Sequence, residues 1–181
     1  MDRRLTTILA ADLVGYSRLM AADEEGVIAR LRAARAEVID PALAEAGGRI
    51  VKTMGDGLLV EFGSPVAAVR AALLVQREMA VRETGPEDQR LTFRIGVNLG
   101  DIVIDGDDML GDGVNVAARL ETLAPPGGLC ISRAVHDQVR GKLDAVLTPL
   151  GPVSYTHLRA HETLTPISYA VFCLERGGGG G

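Results

Sequence analysis

The chain has 181 residues, a formal net charge of −5 and ordinary apolar and charged fractions of 47% and 24%. That length suits one domain with a real core. The acidic balance argues against a general binder of nucleic acid or of anionic membranes, because neither polyanion attracts an acidic surface. Arg3 and Arg4 precede an apolar run that Asp12 interrupts, and no small-residue cleavage site follows, so neither a signal peptide nor a membrane span is expected. Cys130 and Cys173 have neither metal-ligand spacing nor the density of a disulfide framework, which makes a reducing cytoplasm the expected compartment.

Leu5 to Val14 is apolar and threonine-bearing, as a strand buried on both faces should be, and it carries Asp12 near its carboxyl end. A carboxylate in that setting must be paired, hydrogen-bonded or holding a cation. Gly15-Tyr16-Ser17 is a turn into a first helix. Asp23-Glu24-Glu25 starts the next helix, whose apolar face is Val27, Leu31, Ala34 and Val38, and Pro41 should kink or restart it. Arg30, Arg32 and Arg35 read as its solvated outer face.

After Gly47-Gly48, Arg49 to Thr53 and Leu58 to Phe62 read as hairpin strands joined by Met54-Gly55-Asp56-Gly57. An Asp-Gly turn is commonly structural only. A second aspartate in a similar strand-end setting, Asp12, makes this one a candidate for chemistry. Ser64-Pro65 caps a helix with Val66, Val69, Leu73 and Ala80 on one face. Leu91 to Gly100 reads as a strand with Asp101 to Asp105 as its hairpin partner. An acidic, glycine-rich loop at Asp107 to Gly113 then opens a helix in which Asn115 and Arg119, four apart, share a face. Pro125 to Gly128 stops it; Leu129 to Ile131 is a short strand, Ser132 caps a helix through Val139, and Leu143 to Leu150 returns as a strand.

Asp12 and Asp56 suit a pair of hard divalent cations, since magnesium takes one or two carboxylates and leaves its other positions to waters and phosphates. Two such ions can activate an attacking oxygen and steady the leaving one, which points to phosphoryl or nucleotidyl transfer.

Three stretches carry a family resemblance: ADLVGYS at Ala11 to Ser17, KTMGDG at Lys52 to Gly57, and DMLGDGVNVAARLE at Asp108 to Glu121. In order and spacing they resemble the catalytic domain of the class III nucleotidyl cyclases, the adenylyl and guanylyl cyclase family, over roughly Leu5 to Leu150. The resemblance implies an α+β fold with a ferredoxin-like βαββαβ core and additional C-terminal strands and helix, and a head-to-tail homodimer with active sites in its interface. It assigns Asp12 and Asp56 to two metal ions, Mg or Mn, and Lys52 and Asp108, both from the partner chain, to the purine, so that Lys52 and Asp56 of one chain serve different sites. Asn115 would orient the ribose, and Arg119 would stabilise charge developing on the α-phosphate. A lysine and an aspartate suit adenine, whose exocyclic amine donates to a carboxylate while a ring nitrogen accepts from an ammonium, so ATP is the expected substrate and cyclic AMP with pyrophosphate the expected products.

On this reading residues 1–151 form the catalytic domain and 152–181 an uncertain appended segment. Within that segment VSYTHLRAHET at Val153 to Thr163 lacks either periodicity and resembles a translated sequencing-adapter string, 166–174 is a last edge strand, and the glycine run is a tail. His157 and His161 have metal-pair spacing without a third ligand, and no metal role is expected of them. Two departures from the family pattern stand out. Asp101 is acidic where many members carry a phosphate-contacting arginine nearby, and the lysine usual near the domain's end is missing, Lys142 being the last in the chain and Arg159 an uncertain substitute. One lost phosphate contact would weaken substrate binding by about 1.5 to 3 kcal/mol. Two rivals therefore stay open: a catalytically silent cyclase-like module that dimerises or binds nucleotide, and a guanylate cyclase. No sensor domain is expected within this sequence, and any regulatory domains would lie outside it.

Overall fold

The computed structural model describes residues 2–143 in full and the backbone of 148–154 and 168–174. The elements run β1 (Asp2–Leu13), α1 (Tyr16–Ala22), α2 (Glu24–Ala34), α3 (Asp40–Glu45), β2 (Arg49–Met54), β3 (Gly57–Phe62), α4 (Pro65–Arg82), β4 (Phe93–Asp105), β5 (Asp108–Leu110), α5 (Asp112–Leu123), β6 (Leu129–Ser132), α6 (Arg133–Val139), β7 (Thr148–Ser154) and β8 (Ser168–Leu174). Strand order is β2, β3, β1, β4, β6, β8, β7, with β5 on β4. This is the expected α+β architecture.

β1 is central because both of its faces are apolar. Leu9, Ala11 and Leu13 join Leu58, Val60, Phe62, Phe93, Ile95 and Val97 in the larger cluster, beneath α2, α3, α4 and α6. Ile8 and Ala10 join Leu59, Ile102, Met109 and Ala117 on the other face, beneath α5. Period-two alternation thus feeds two cores from one strand.

The helix starts follow their capping residues. The Asp23 carboxylate accepts from Gly26 N–H at 3.0 Å, and the Ser64 hydroxyl oxygen accepts from Ala67 N–H at 3.3 Å. Pro41 restarts the second helix as expected, with a π-helical turn at Arg35–Ile39 before α3, because proline supplies no N–H to continue the ladder. The buried face of α4 is Val69, Ala72, Val75 and Met79 rather than one running through Leu73 and Ala80, which are only partly buried.

Several expectations need correction. The strand starting near Leu91 does not turn at Gly100; β4 continues to Asp105 and pairs with β1 from Asp2↔Ile104 to Leu13↔Phe93, while its hairpin partner is β5. Gly100 serves contact rather than a turn, since a Cβ there would lie 3.0 Å from Gly113 Cα on α5. The return strand expected at Leu143–Leu150 is β7, Thr148–Ser154; residues 144–147 lie outside the described residues. Nor is the last strand an edge: β8 sits between β6 and β7. Finally, Cys130 is disulfide-bonded. The sequence separates it from Cys173, yet antiparallel pairing of β6 with β8 sets the two opposite each other in register. His157, Arg159 and His161 lie outside the described residues.

Candidate active site

Asp12 and Asp56 converge. The β1 strand ends beside the β2–β3 turn, where Met54 pairs with Gly57 and leaves Gly55-Asp56 as the two-residue loop. Gly55 has φ +59, a conformation that costs little only without a Cβ. Leu13 N–H donates to Asp12 Oδ1 at 3.1 Å and to Asp56 Oδ2 at 3.2 Å, so one backbone donor serves both carboxylates. Burial first, then the hydrogen bond to Asp56 and the charges of Asp56 and Glu121, push the Asp12 carboxyl up to about 7, against the lowering effect of the Leu13 N–H.

Such crowding is what a divalent cation relieves. The donor set is hard oxygen, two carboxylates brought together beside a glycine turn, and it fits magnesium or manganese completed by water and phosphate oxygens. Among the described residues no group of three or more His, Cys, Asp or Glu is gathered for a metal.

Two further groups at this end escaped the sequence reading. Arg94 on β4 lies directly opposite Asp12 in register, and its Nε is buried without a hydrogen-bond partner. Glu121, near the end of α5, has its carboxyl raised chiefly by burial, opposed by Arg94 and reinforced by Asp56. The signal for Arg94 was the alternation of Phe93, Ile95 and Val97 with Arg94, Gly96 and Asn98, which leaves one charged residue on an otherwise small-residue face. Glu121 is two positions past Arg119, hence on nearly the opposite side of the helix.

Lys52 and Asp108 also meet. Lys52 Nζ lies 3.4 Å from Asp108 Oδ1, with both side chains 44% exposed. A register shift between Ile50 and Lys52 brings this about: Ile50 pairs with Val60 on the larger-core face, but Lys52 pairs with Leu59 on the α5 face. The bulge reverses the alternation and turns Lys52 toward β5. Beneath the pair lie Val51, Leu59 and Met109.

Asn115 and Arg119 sit on the solvent side of α5, both exposed, while Val116, Ala117 and Leu120 are buried against the sheet. Two glycines let the helix approach so closely. A Cβ at Gly96 would fall 2.3 Å from Glu121 N, and the Gly100–Gly113 contact seats the first turn. The chain therefore presents three groupings: a carboxylate pair with an arginine opposite, a lysine–aspartate pair, and an outward Asn/Arg face.

A family model for the adenylate and guanylate cyclase catalytic domain matches residues 3–164. The chain belongs to that family. It is 52% identical over 143 residues to "Putative adenylate cyclase 3" of Rhizobium meliloti (strain 1021), covering 78% of this chain and 24% of that protein. Its identity to "Adenylate cyclase" of Streptomyces coelicolor is 34% over 145 residues, 80% of this chain and 36% of that one. The chain thus spans about a quarter to a third of these curated relatives' length. Among solved structures, an "Adenylate/Guanylate Cyclase/Hydrolase" from Silicibacter pomeroyi superposes with TM-score 0.86 at 43% identity, covering 98% of this chain and 100% of that one. The adenylyl cyclase CyaB from P. aeruginosa, at 20% identity and TM-score 0.78 over 99% of this chain and 98% of its own, shares the cyclase fold. No helix among the described residues is long and apolar enough to cross a membrane.

Proposed function

We propose that this cyclase domain is an adenylate cyclase, converting ATP to 3′,5′-cyclic AMP and pyrophosphate at sites shared between two copies of the chain. The convergence of Asp12 and Asp56 on one backbone N–H carries the reading, because two crowded carboxylates at a glycine turn are a holder for divalent cations. Two bound Mg or Mn ions would supply charge at the attacking 3′-oxygen and at the leaving pyrophosphate.

The chain's own residues do the rest. Asp12 and Asp56 hold the ions, and Arg94, opposite Asp12 with Nε unsatisfied, adds positive charge beside them for the phosphates. Lys52 and Asp108 read the base: the ammonium donates to a ring nitrogen of adenine and the carboxylate accepts from its exocyclic amine. Their mutual ion pair is half-exposed, so substrate can replace it without a large desolvation cost. Asn115 orients the ribose, and Arg119 stabilises the charge that grows on the α-phosphate. Both lie on the outer side of α5, away from the sheet bearing Asp12, which supports their serving the partner's site in a homodimer. Residues 1–151 carry all of these groups, and 152–181 contributes strand to the same sheet. We place the domain in the cytoplasm, with ATP.

Complementation tests the shared site. Asp56→Ala and Arg119→Ala chains, each inactive alone, should recover about a quarter of wild-type activity when mixed, since random pairing makes half the dimers heterodimers with one intact site of two. Recovery of none would place all the groups of a site in one chain. The absence of the family's C-terminal lysine favours a second reading, a silent dimerising module, and a wild type inactive with both ATP and GTP would select it. A guanylate cyclase is the remaining rival, opposed by Lys52 and Asp108.

A further inference from the structure

We infer that Asn98 is a positioning residue for the cyclase reaction: its buried amide, donating to the Gly113 carbonyl, fixes the first turn of α5 and thereby the pose of Asn115 and Arg119. This rests on the assignment of those two residues to catalysis.

Asn98 is 5% exposed, and its Nδ2 donates to Gly113 O at 3.0 Å. It stands on β4 between Gly96 and Gly100 on the face that α5 covers, opposite Ile8 of β1. The helix backbone touches the strand at both glycines: a Cβ at Gly96 would meet Ala117 O at 2.4 Å, and one at Gly100 would meet Gly113 Cα at 3.0 Å. Contacts of this kind fix the spacing of helix and sheet. They do not fix how far the helix slides or rotates, because apolar packing against Ile8 and Val116 is non-directional. A hydrogen bond is directional, and a buried one is costly to leave unmade. Packing alone would be served by an aliphatic side chain at position 98, whereas an amide selects one helix register.

The consequence falls on the outer face. Asn115 is two residues past Gly113 and Arg119 six, so any slip of the first turn is passed along α5 to both. Both are exposed on the outer side of α5 while Asn98 is buried on β4, so Asn98 acts through the helix. Misplacement of a catalytic group by about 1 Å can cost on the order of a hundredfold in rate.

The test uses the full chain with Mn²⁺ and ATP. Asn98→Leu keeps the branched side chain of four heavy atoms, with bulkier methyl groups, and removes the donor; Asn98→His returns an N–H at Nδ1, which occupies nearly the same place as the amide nitrogen. Backbone hydrogen exchange over α5 and steady-state kinetics are read together. Asn98→Leu should speed exchange in the first turns of α5 more than elsewhere and lower kcat about ten- to a hundredfold, with KM for ATP changed no more than about threefold. Asn98→His should restore protection and most of kcat. If Asn98→Leu does not melt cooperatively, Asn98→Ala carries the same comparison. Unchanged exchange in α5 would overturn the inference, as would a loosened α5 with undiminished kcat, or an Asn98→His chain that regains protection without regaining turnover. An inactive wild type would overturn the catalytic assignment, and the exchange measurement would still decide whether Asn98 seats the helix.

Discussion

Metal binding at the carboxylate pair should be coupled to loss of a proton, and the size of the effect follows from Asp12. Its carboxyl titrates near 7 in the metal-free chain, against 3.8 for an ordinary aspartate. A cation needs the ionised form, so it must displace the proton wherever the pH lies below 7. At about pH 6 roughly nine-tenths of Asp12 carboxyls are protonated, so binding should release close to one proton per site and the apparent affinity should be about tenfold weaker than at about pH 8. Mn²⁺ titration calorimetry in two buffers of different ionisation enthalpy measures the proton count directly. Asp12→Asn supplies the control, because it keeps the shape and removes the titrating group. Release of no proton at about pH 6, with an affinity flat up to about pH 8, would refute the argument that burial and the charges of Asp56 and Glu121 crowd this carboxylate.

The same shift has a consequence for metal-free stability. The folded state holds a proton on Asp12 that the unfolded chain loses near pH 3.8, so the group's stabilising contribution is full below that value and is lost as the pH rises to about 7. Thermal unfolding in a chelator should show that decline, and Asp12→Asn should flatten it; an identical pH dependence in the variant would sink the assignment. Gly96→Ala should cost at least about 1 to 3 kcal/mol, since the new methyl would lie 2.3 Å from Glu121 N and 2.4 Å from Ala117 O, backbone atoms that cannot simply rotate away. Chemical denaturation measures it, and unchanged stability would show that α5 lies farther from β4. Glu61, held below the usual range although burial alone would raise it, accepts from Arg49 and Arg4. Replacing it by Ala should cost about 1 to 2 kcal/mol, because both arginines stay partly hydrated; a neutral effect would make the cluster decorative. Asp108→Ala should relax the preference for ATP over GTP, and an unchanged preference in competition assays would remove Asp108 from base recognition.

The carboxylate pair was legible because its parts are local. Asp12 closes an apolar run, an unusual setting for a carboxylate before any tertiary contact is known, and that singles out Asp56 in a glycine turn that would by itself read as structural. The Asn115–Arg119 face was equally local, being set by helical periodicity. What depended on register was not legible. Lys52 reaches the α5 face through a bulge at Val51 that nothing in the hairpin's sequence announces, and strict alternation would have pointed it into the larger core. Gly100-Asp101 looked like a turn because glycine serves turns and close approaches alike, and only the position of Gly113 separates the two uses. Arg94 was overlooked for a related reason, since its importance comes from standing opposite Asp12 across two strands. The pairing of β6 with β8 that sets Cys130 opposite Cys173 is likewise encoded by no spacing rule along the chain.

The central claim is tested most directly by cyclic nucleotide production from the purified chain with Mn²⁺ and either ATP or GTP, beside Asp56→Ala. Cyclic AMP formed from ATP in preference to cyclic GMP from GTP, and lost in the variant, is the predicted result. No product from either nucleotide, or product undiminished in Asp56→Ala, would contradict it.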